Sequence, residues 1–225
     1  PMPTLLAEPL IQHIEETFPK NAVAVRSSAE AEDAEGHSFA GIHDSFINIF
    51  GTAPILTHIK KVWASLWSDA AIMYRKELQL DLESSAMSVV IQEFIPGEVS
   101  GVAFGKNPLN PKEAVIEAVP GLNEKLVDGK MEPDRWILEE KSGTIISKYR
   151  PSRDNINSTD KSDGKTDTIE SGIAGNELLT ESQIKAIFNL VKEAESLFGS
   201  PQDVEWTFRN GALYVLQSRP ITRGN

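Results

Sequence analysis

The stretch from Asp203 to Pro220 alternates apolar and polar residues on both sides of Arg209-Asn210-Gly211. A period of two belongs to strands, and Asn-Gly between two alternating runs is a strong hairpin signal. The chain must therefore provide a sheet for this hairpin to join, since an isolated hairpin is marginal in water. A two-residue Asn-Gly turn would pair Arg209 with Ala212 and put Asp203 and Glu205 on the face opposite Gln217 and Arg219. A three-residue Arg-Asn-Gly loop, with Gly211 left-handed in a bulge, pairs Phe208 with Ala212 and Asp203 with Gln217. The second register is preferred because it sorts the side chains. Asp203, Glu205, Gln217 and Arg219 share one face, and Val204, Trp206 and Phe208 share the other with Ala212, Tyr214 and Leu216.

Two carboxylates beside an amide oxygen suit Mg²⁺, a hard cation that takes oxygen ligands and leaves positions for water and phosphate. Asp203, Glu205 and Gln217 are the candidate metal ligands, and Arg219 would face phosphate oxygens. The same alternation also fits an edge hairpin whose outer face is merely solvated.

Elsewhere the periods change. Leu6, Leu10, Ile14 and Phe18 follow helical spacing up to Pro19, and a strand covers Ala22 to Arg26. The small and acidic run from Ala29 to Gly41 reads as a loop, with Glu32-Asp33 as solvated charge. Thr52 to Leu80 carries the longest helical stripe, widened by Trp63 and Trp67. Met87 to Ile95 reads as a buried strand that turns through Pro96-Gly97 into a second strand, Val102 to Gly105, giving a hairpin. Shorter strands are expected at Ala114 to Val119, Trp136 to Glu140 and Thr144 to Lys148. The polar run 151–172 lacks large apolar residues and reads as a mobile loop. Leu179 to Phe198 is helical, with Thr180 as N-cap and Gly199 as its stop.

A formal charge of -11, from 22 basic and 33 acidic residues, argues against general nucleic-acid binding, which needs Lys and Arg to neutralise phosphates. No apolar run is long enough to span a membrane, and the first residues lack a signal-peptide pattern. With no cysteine there is no disulfide or thiol chemistry, which suits a reducing, cytoplasmic setting. Pro1-Met2 points to a chain that begins inside a gene. His13, His37, His43 and His58 share no metal-ligand spacing. Trp63, Trp67 and Trp206 fall on apolar stripes and are expected in the core.

Four segments, VAVRSSAEAEDAEGHSFAG, VWASLWSDAAIMYR, SGVAFGKNP and QDVEWTFRNGALYVLQSRPIT, occur in one order over about residues 21–222. In that order they resemble the ATP-binding domain shared by phosphoenolpyruvate synthase, pyruvate phosphate dikinase and rifampicin phosphotransferase. The resemblance implies an α+β, ATP-grasp fold with mixed and antiparallel sheets and flanking helices, incomplete in its N-terminal portion. Its regions would be 1–86 with the phosphate loop and long helix, 87–150 as a β-rich adenine side, the 151–172 loop, and 173–225 with the metal hairpin. ATP and Mg²⁺ are the implied ligands. A histidine on a separate swivelling domain would take the β-phosphoryl group and pass it on to pyruvate.

Residue by residue, the resemblance makes Arg26 a phosphate contact and Ser38 to Gly41 a loop over the phosphates. It makes Glu205 and Gln217 the pair that binds metal and phosphate, Asp203 the acid before them and Arg219 the closing arginine. Arg26, Arg219 and Asp203 are thus the catalytic candidates. Gln92, Phe94 and Ile95 match the connector that meets adenine. The chain departs from the family pattern at Ala70, Gly105 and Asn123, where arginine, threonine and glycine are usual, and it lacks the lysine-bearing segment expected upstream. On that basis this chain alone is expected to be inactive. The alternatives are a rifampicin phosphotransferase-like kinase domain and a non-catalytic nucleotide-binding module.

Overall fold

The apolar positions of the first third come together around one small sheet. The computed structural model describes residues 2–29, 42–81, 85–123, 126, 129, 131–151 and 177–221. It divides into two compact units, residues 1–94 with 222–225, and residues 95–221.

In the first unit, β1 (Val23–Ala29) lies between β2 (Phe46–Ile49) and β3 (Met87–Glu93), antiparallel to both. Val23 and Val25 pack with Ile14 of α1 (Thr4–Thr17) and with Ile55, Ile59 and Val62 of α2 (Thr52–Ser65). Each such side chain contributes about 1.5–3 kcal/mol when fully buried. The single helix expected over Thr52 to Leu80 is in fact two. Ser68 caps α3 (Asp69–Glu77), its hydroxyl accepting from the Ala71 N–H, and the helical stripe is cut at Leu66-Trp67. Trp67 in that break is 52% exposed, against the core position expected of it, whereas Trp63 does pack on the core. The Arg75 guanidinium lies over the Trp67 ring and bonds the carbonyls of Leu66 and Ala71.

The second unit is a six-stranded sheet in the order β7-β6-β5-β4-β8-β9. Its strands are β4 (Val99–Phe104), β5 (Glu113–Pro120), β6 (Asp134–Glu139), β7 (Ile145–Tyr149), β8 (Gln202–Arg209) and β9 (Ala212–Pro220). Helix α4 (Glu181–Phe198) covers one face, with Ile184, Ile187, Phe188 and Val191 against Ala103, Ile116, Trp136, Val204 and Trp206. Its ends are those read from sequence. The Thr180 hydroxyl accepts from the Gln183 N–H, the Gln183 side chain bonds back to the Thr180 N–H, and Gly199 is left-handed. Lys192 ties the helix to the sheet through the Gly105 carbonyl and Glu140.

Every pairing among the described strands is antiparallel, so the mixed sheet expected is not found among them. The expected hairpin of Met87 to Ile95 with the next strand is not formed either. β3 matches all seven residues of β1, while β4 pairs with β5 and β8 in the other unit. β3 also alternates between half-buried and exposed residues instead of being buried throughout. A strand packed on one face only has that pattern.

Candidate functional site

The terminal hairpin has the two-residue turn. Arg209 pairs with Ala212, and both Asn210 (φ 51°) and Gly211 (φ 76°) are left-handed, as a type I′ turn requires. The three-residue loop and the Phe208–Ala212 and Asp203–Gln217 pairs expected from sequence are therefore incorrect. The shared polar face nevertheless forms, because the register shifts between Glu205 and Trp206. Trp206 pairs with Val215 but Glu205 with Gln217, which leaves Leu216 as the extra residue of a bulge. From there on, Asp203 lies opposite Arg219 and Glu205 opposite Gln217, on the face away from α4. The apolar face changes accordingly. Leu213, paired with Phe208, joins the core, whereas Tyr214 lies opposite Thr207 on the polar side.

Arg219 sends both Nε and Nη2 to Asp203 Oδ2, each at 2.9 Å. Asp203 is buried, and its Oδ1 has no hydrogen-bond partner. Burial pushes its carboxyl above the ordinary aspartate value; Arg219 pulls it down, while Glu205 and Glu117 push it up. Glu117 lies on the same face, since Val102 of β4 pairs with Glu117 on one side and Glu205 on the other. Arg135, its cross-strand neighbour, holds Glu117 at 2.6 Å. Sequence reading passed over Glu117 and Arg135. The one available signal was a carboxylate inside an otherwise apolar strand.

The donor set fits Mg²⁺. An orphaned, buried carboxylate oxygen on Asp203, the Glu205 carboxylate and the Gln217 amide offer oxygen atoms on one face. Among the described residues no group of three or more His, Cys, Asp and Glu side chains is placed to hold a metal ion, so the amide of Gln217 is needed to complete the set.

The other predicted residues lie elsewhere. Arg26 and Gln92 belong to the first unit and share the face of its sheet opposite the Val23 and Val25 core, because Arg26 pairs with Val90 and Ala24 with Gln92. Arg26 is not at a strand end, since β1 runs on to Ala29. Phe94 closes the first unit, its N–H donating to the Ala22 carbonyl, and Ile95 opens the second. Ser38 and Gly41 lie outside the described residues, as do His37, Glu32-Asp33 and all of the 151–172 run except Pro151. No helix among the described residues is long and apolar enough to cross a membrane.

The second unit is an antiparallel sheet covered by a helix on one side, with carboxylates, an amide and an arginine on the other, the architecture of a ligand-binding domain of the α+β class. The chain belongs to the family described as pyruvate phosphate dikinase, AMP/ATP-binding domain, whose model matches residues 1–225. It is 36% identical over 204 residues to a probable phosphoenolpyruvate synthase of Methanocaldococcus jannaschii, covering 89% of this chain and 17% of that protein. It is 36% identical over 225 residues to rifampicin phosphotransferase of Bacillus subtilis, covering 98% of this chain and 26% of that protein. A probable phosphoenolpyruvate synthase of Archaeoglobus fulgidus is 37% identical over 203 residues, 89% of this chain and 27% of its own length. The chain thus spans less than a third of the length of these relatives.

Proposed function

We propose that this chain is the nucleotide-binding part of an ATP-grasp dikinase of the phosphoenolpyruvate synthase type. It would bind ATP with Mg²⁺ so that the β-phosphoryl group passes to a histidine on a separate swivelling domain and then to pyruvate. The observation that carries this is the Asp203–Arg219 ion pair beside the cross-strand register pair Glu205–Gln217 on one half-buried face. Phosphoryl transfer depends mainly on positioning and on neutralising charge on phosphate oxygens, so no covalent nucleophile is needed here.

In this reading Glu205 and Gln217 offer oxygen ligands to Mg²⁺, with Asp203 Oδ1 beside them. The ion, when bound, supplies positive charge to the phosphate oxygens. Asp203 also fixes the Arg219 guanidinium through Nε and Nη2, leaving Nη1 to meet an anion. Arg26, Gln92, Phe94 and Ile95, with Ser38 and Gly41, are proposed ligand contacts on the strength of the family motifs. A cytoplasmic setting belongs to the same proposal.

A second reading, a rifampicin phosphotransferase-like kinase domain, is supported by relatives of that name matched over 98% of the chain. The two differ in the phosphoryl acceptor, which lies outside these residues. Calorimetry with Mg-ATP on the wild type and on Glu205→Ala tests what they share. Binding that weakens at least tenfold in the variant is expected, a loss of about 1.4 kcal/mol or more. Equal heats would remove Glu205 as a metal ligand, and no heat in either protein would sink both readings.

A further inference from the structure

The polar face has a direction. Its rows run from Phe104–Asp203–Arg219, through Val102–Glu205–Gln217, to Ser100–Thr207–Tyr214. Successive rows are two residues apart, about 7 Å. The first row holds an ion pair, the second a carboxylate and an amide, and the third only hydroxyls. A nucleoside triphosphate has the same gradient, from charged phosphates to an uncharged ribose and base. The start of β4, which follows Ile95, lies at the hydroxyl end.

That end is built around two buried hydroxyls. Ser100 and Thr207 are 1% and 0% exposed, and their oxygens lie 2.7 Å apart. Ser100 Oγ donates to the Gly121 carbonyl at 2.6 Å and accepts from Thr207 Oγ1, which also stands 3.2 Å from the Val99 carbonyl. The main chain of Gly97 rests directly on the pair, since a Cβ there would stand 2.0 Å from Thr207 Oγ1 and 2.5 Å from Ser100 Oγ. Two further bonds lock the same segments together: the Gly121 N–H donates to the Glu98 carbonyl, and the Glu98 N–H to that of Phe208. The next positions of β4 on the same face are Val102 and Phe104, which carry no polar group.

We propose that the Ser100–Thr207 pair is a positioning device for the nucleoside half of the bound nucleotide. It fixes the main chain at Gly97, Glu98 and Gly121 as the surface on which ribose and base rest, with the phosphates towards Asp203 and Arg219. This rests on the nucleotide-binding reading above. Thr207 acts through the backbone it holds and does not touch the ligand.

The test compares Mg-ATP with Mg-tripolyphosphate, which keeps the phosphates and lacks the nucleoside. Thr207→Val, which keeps the shape of the side chain, is expected to weaken Mg-ATP about tenfold, the scale of one lost hydrogen bond and its disorder. Mg-tripolyphosphate binding should stay unchanged, and Thr207→Ser should restore ATP affinity. Ser100→Ala carries the same expectation and serves if the valine variant does not fold. Equal weakening of both ligands, or no weakening of either, overturns the inference while leaving the proposed function standing. A wild-type protein that binds neither ligand overturns the proposed function, and this inference with it.

Discussion

Glu205 and Gln217 stand directly opposite one another on β8 and β9, and they do so only because Leu216 is squeezed out of the ladder as a bulge. Without it, the two-residue turn would carry Gln217 to the helix side. The pairing sets a test of the metal assignment. Gln217→Glu would place two carboxylates face to face, which destabilises a sheet by about 0.2–1 kcal/mol. The variant should melt lower than wild type without divalent cation and gain more on adding Mg²⁺, since the ion then neutralises two charges. A variant whose melting temperature responds to Mg²⁺ no more than wild type would remove Glu205 and Gln217 from the metal site.

Asn123 is buried, with both its amide oxygen and its amide nitrogen lacking partners. It stands where the family pattern has glycine, yet its backbone is not left-handed, so the conformation does not call for one. Asn123→Leu keeps the branched shape and removes the two unpaired groups. Each buried unpaired group costs about 1–3 kcal/mol, so the variant should be more stable by at least about 1 kcal/mol. Urea denaturation measures this. A lower midpoint in the variant means that the amide has a partner in solution.

The polar face of Asp203, Glu205, Gln217 and Arg219 was legible because each strand alternates locally, whereas the apolar side of β9 was misread at Leu213 and Tyr214. The turn of this hairpin was misread because one bulge anywhere in the ladder restores the sorting, and sequence pattern does not say whether the extra residue is in the loop or at Leu216. The caps of α4 were legible for the same local reason. The break before α3 was also written in the sequence, as Ser68-Asp69 at a helix start, but the apolar stripe running across it outweighed that signal. The partner of β3 was not legible. Pro96-Gly97 suits a turn, and only the pairing with β1, 58 to 70 residues away, shows that the chain leaves one sheet for another there. Glu117 was missed because its importance lies in facing Val102 and Glu205 across two strands.

Gly105, the second departure from the family pattern, has a packing reason. A Cβ there would lie 2.2 Å from Glu195 Oε1 and 2.7 Å from Val191 Cγ1 of α4. Glu195 can swing aside, but Val191 is buried in the core. Gly105→Thr, the family residue, should therefore destabilise this chain by about 1–3 kcal/mol, the usual cost of overpacking. Chemical denaturation that shows no change would mean that α4 moves freely on the end of β4.

Lys192 is held between two carboxylates. Its Nζ lies 2.7 Å from Glu140, 2.8 Å from Glu195 and 3.2 Å from the Gly105 carbonyl. The hydrogen bond from Lys192 holds the Glu140 carboxyl below its ordinary value despite partial burial. Burial lowers Lys192 itself, but the bonds to Glu140 and Glu195 outweigh it and leave the ammonium raised. The stability from Glu140 is present above the ordinary carboxylate value of 4.5 and is lost as pH falls below it through the depressed folded value. That from Lys192 is present below 10.5 and is lost as pH rises above it through the raised folded value. Lys192→Met keeps the aliphatic stem against Phe188 and removes the charge. Its melting temperature should be below wild type near neutral pH, and the gap should narrow towards both acid and alkaline pH. A constant gap across that range would show that Lys192 matters here through packing and not through charge.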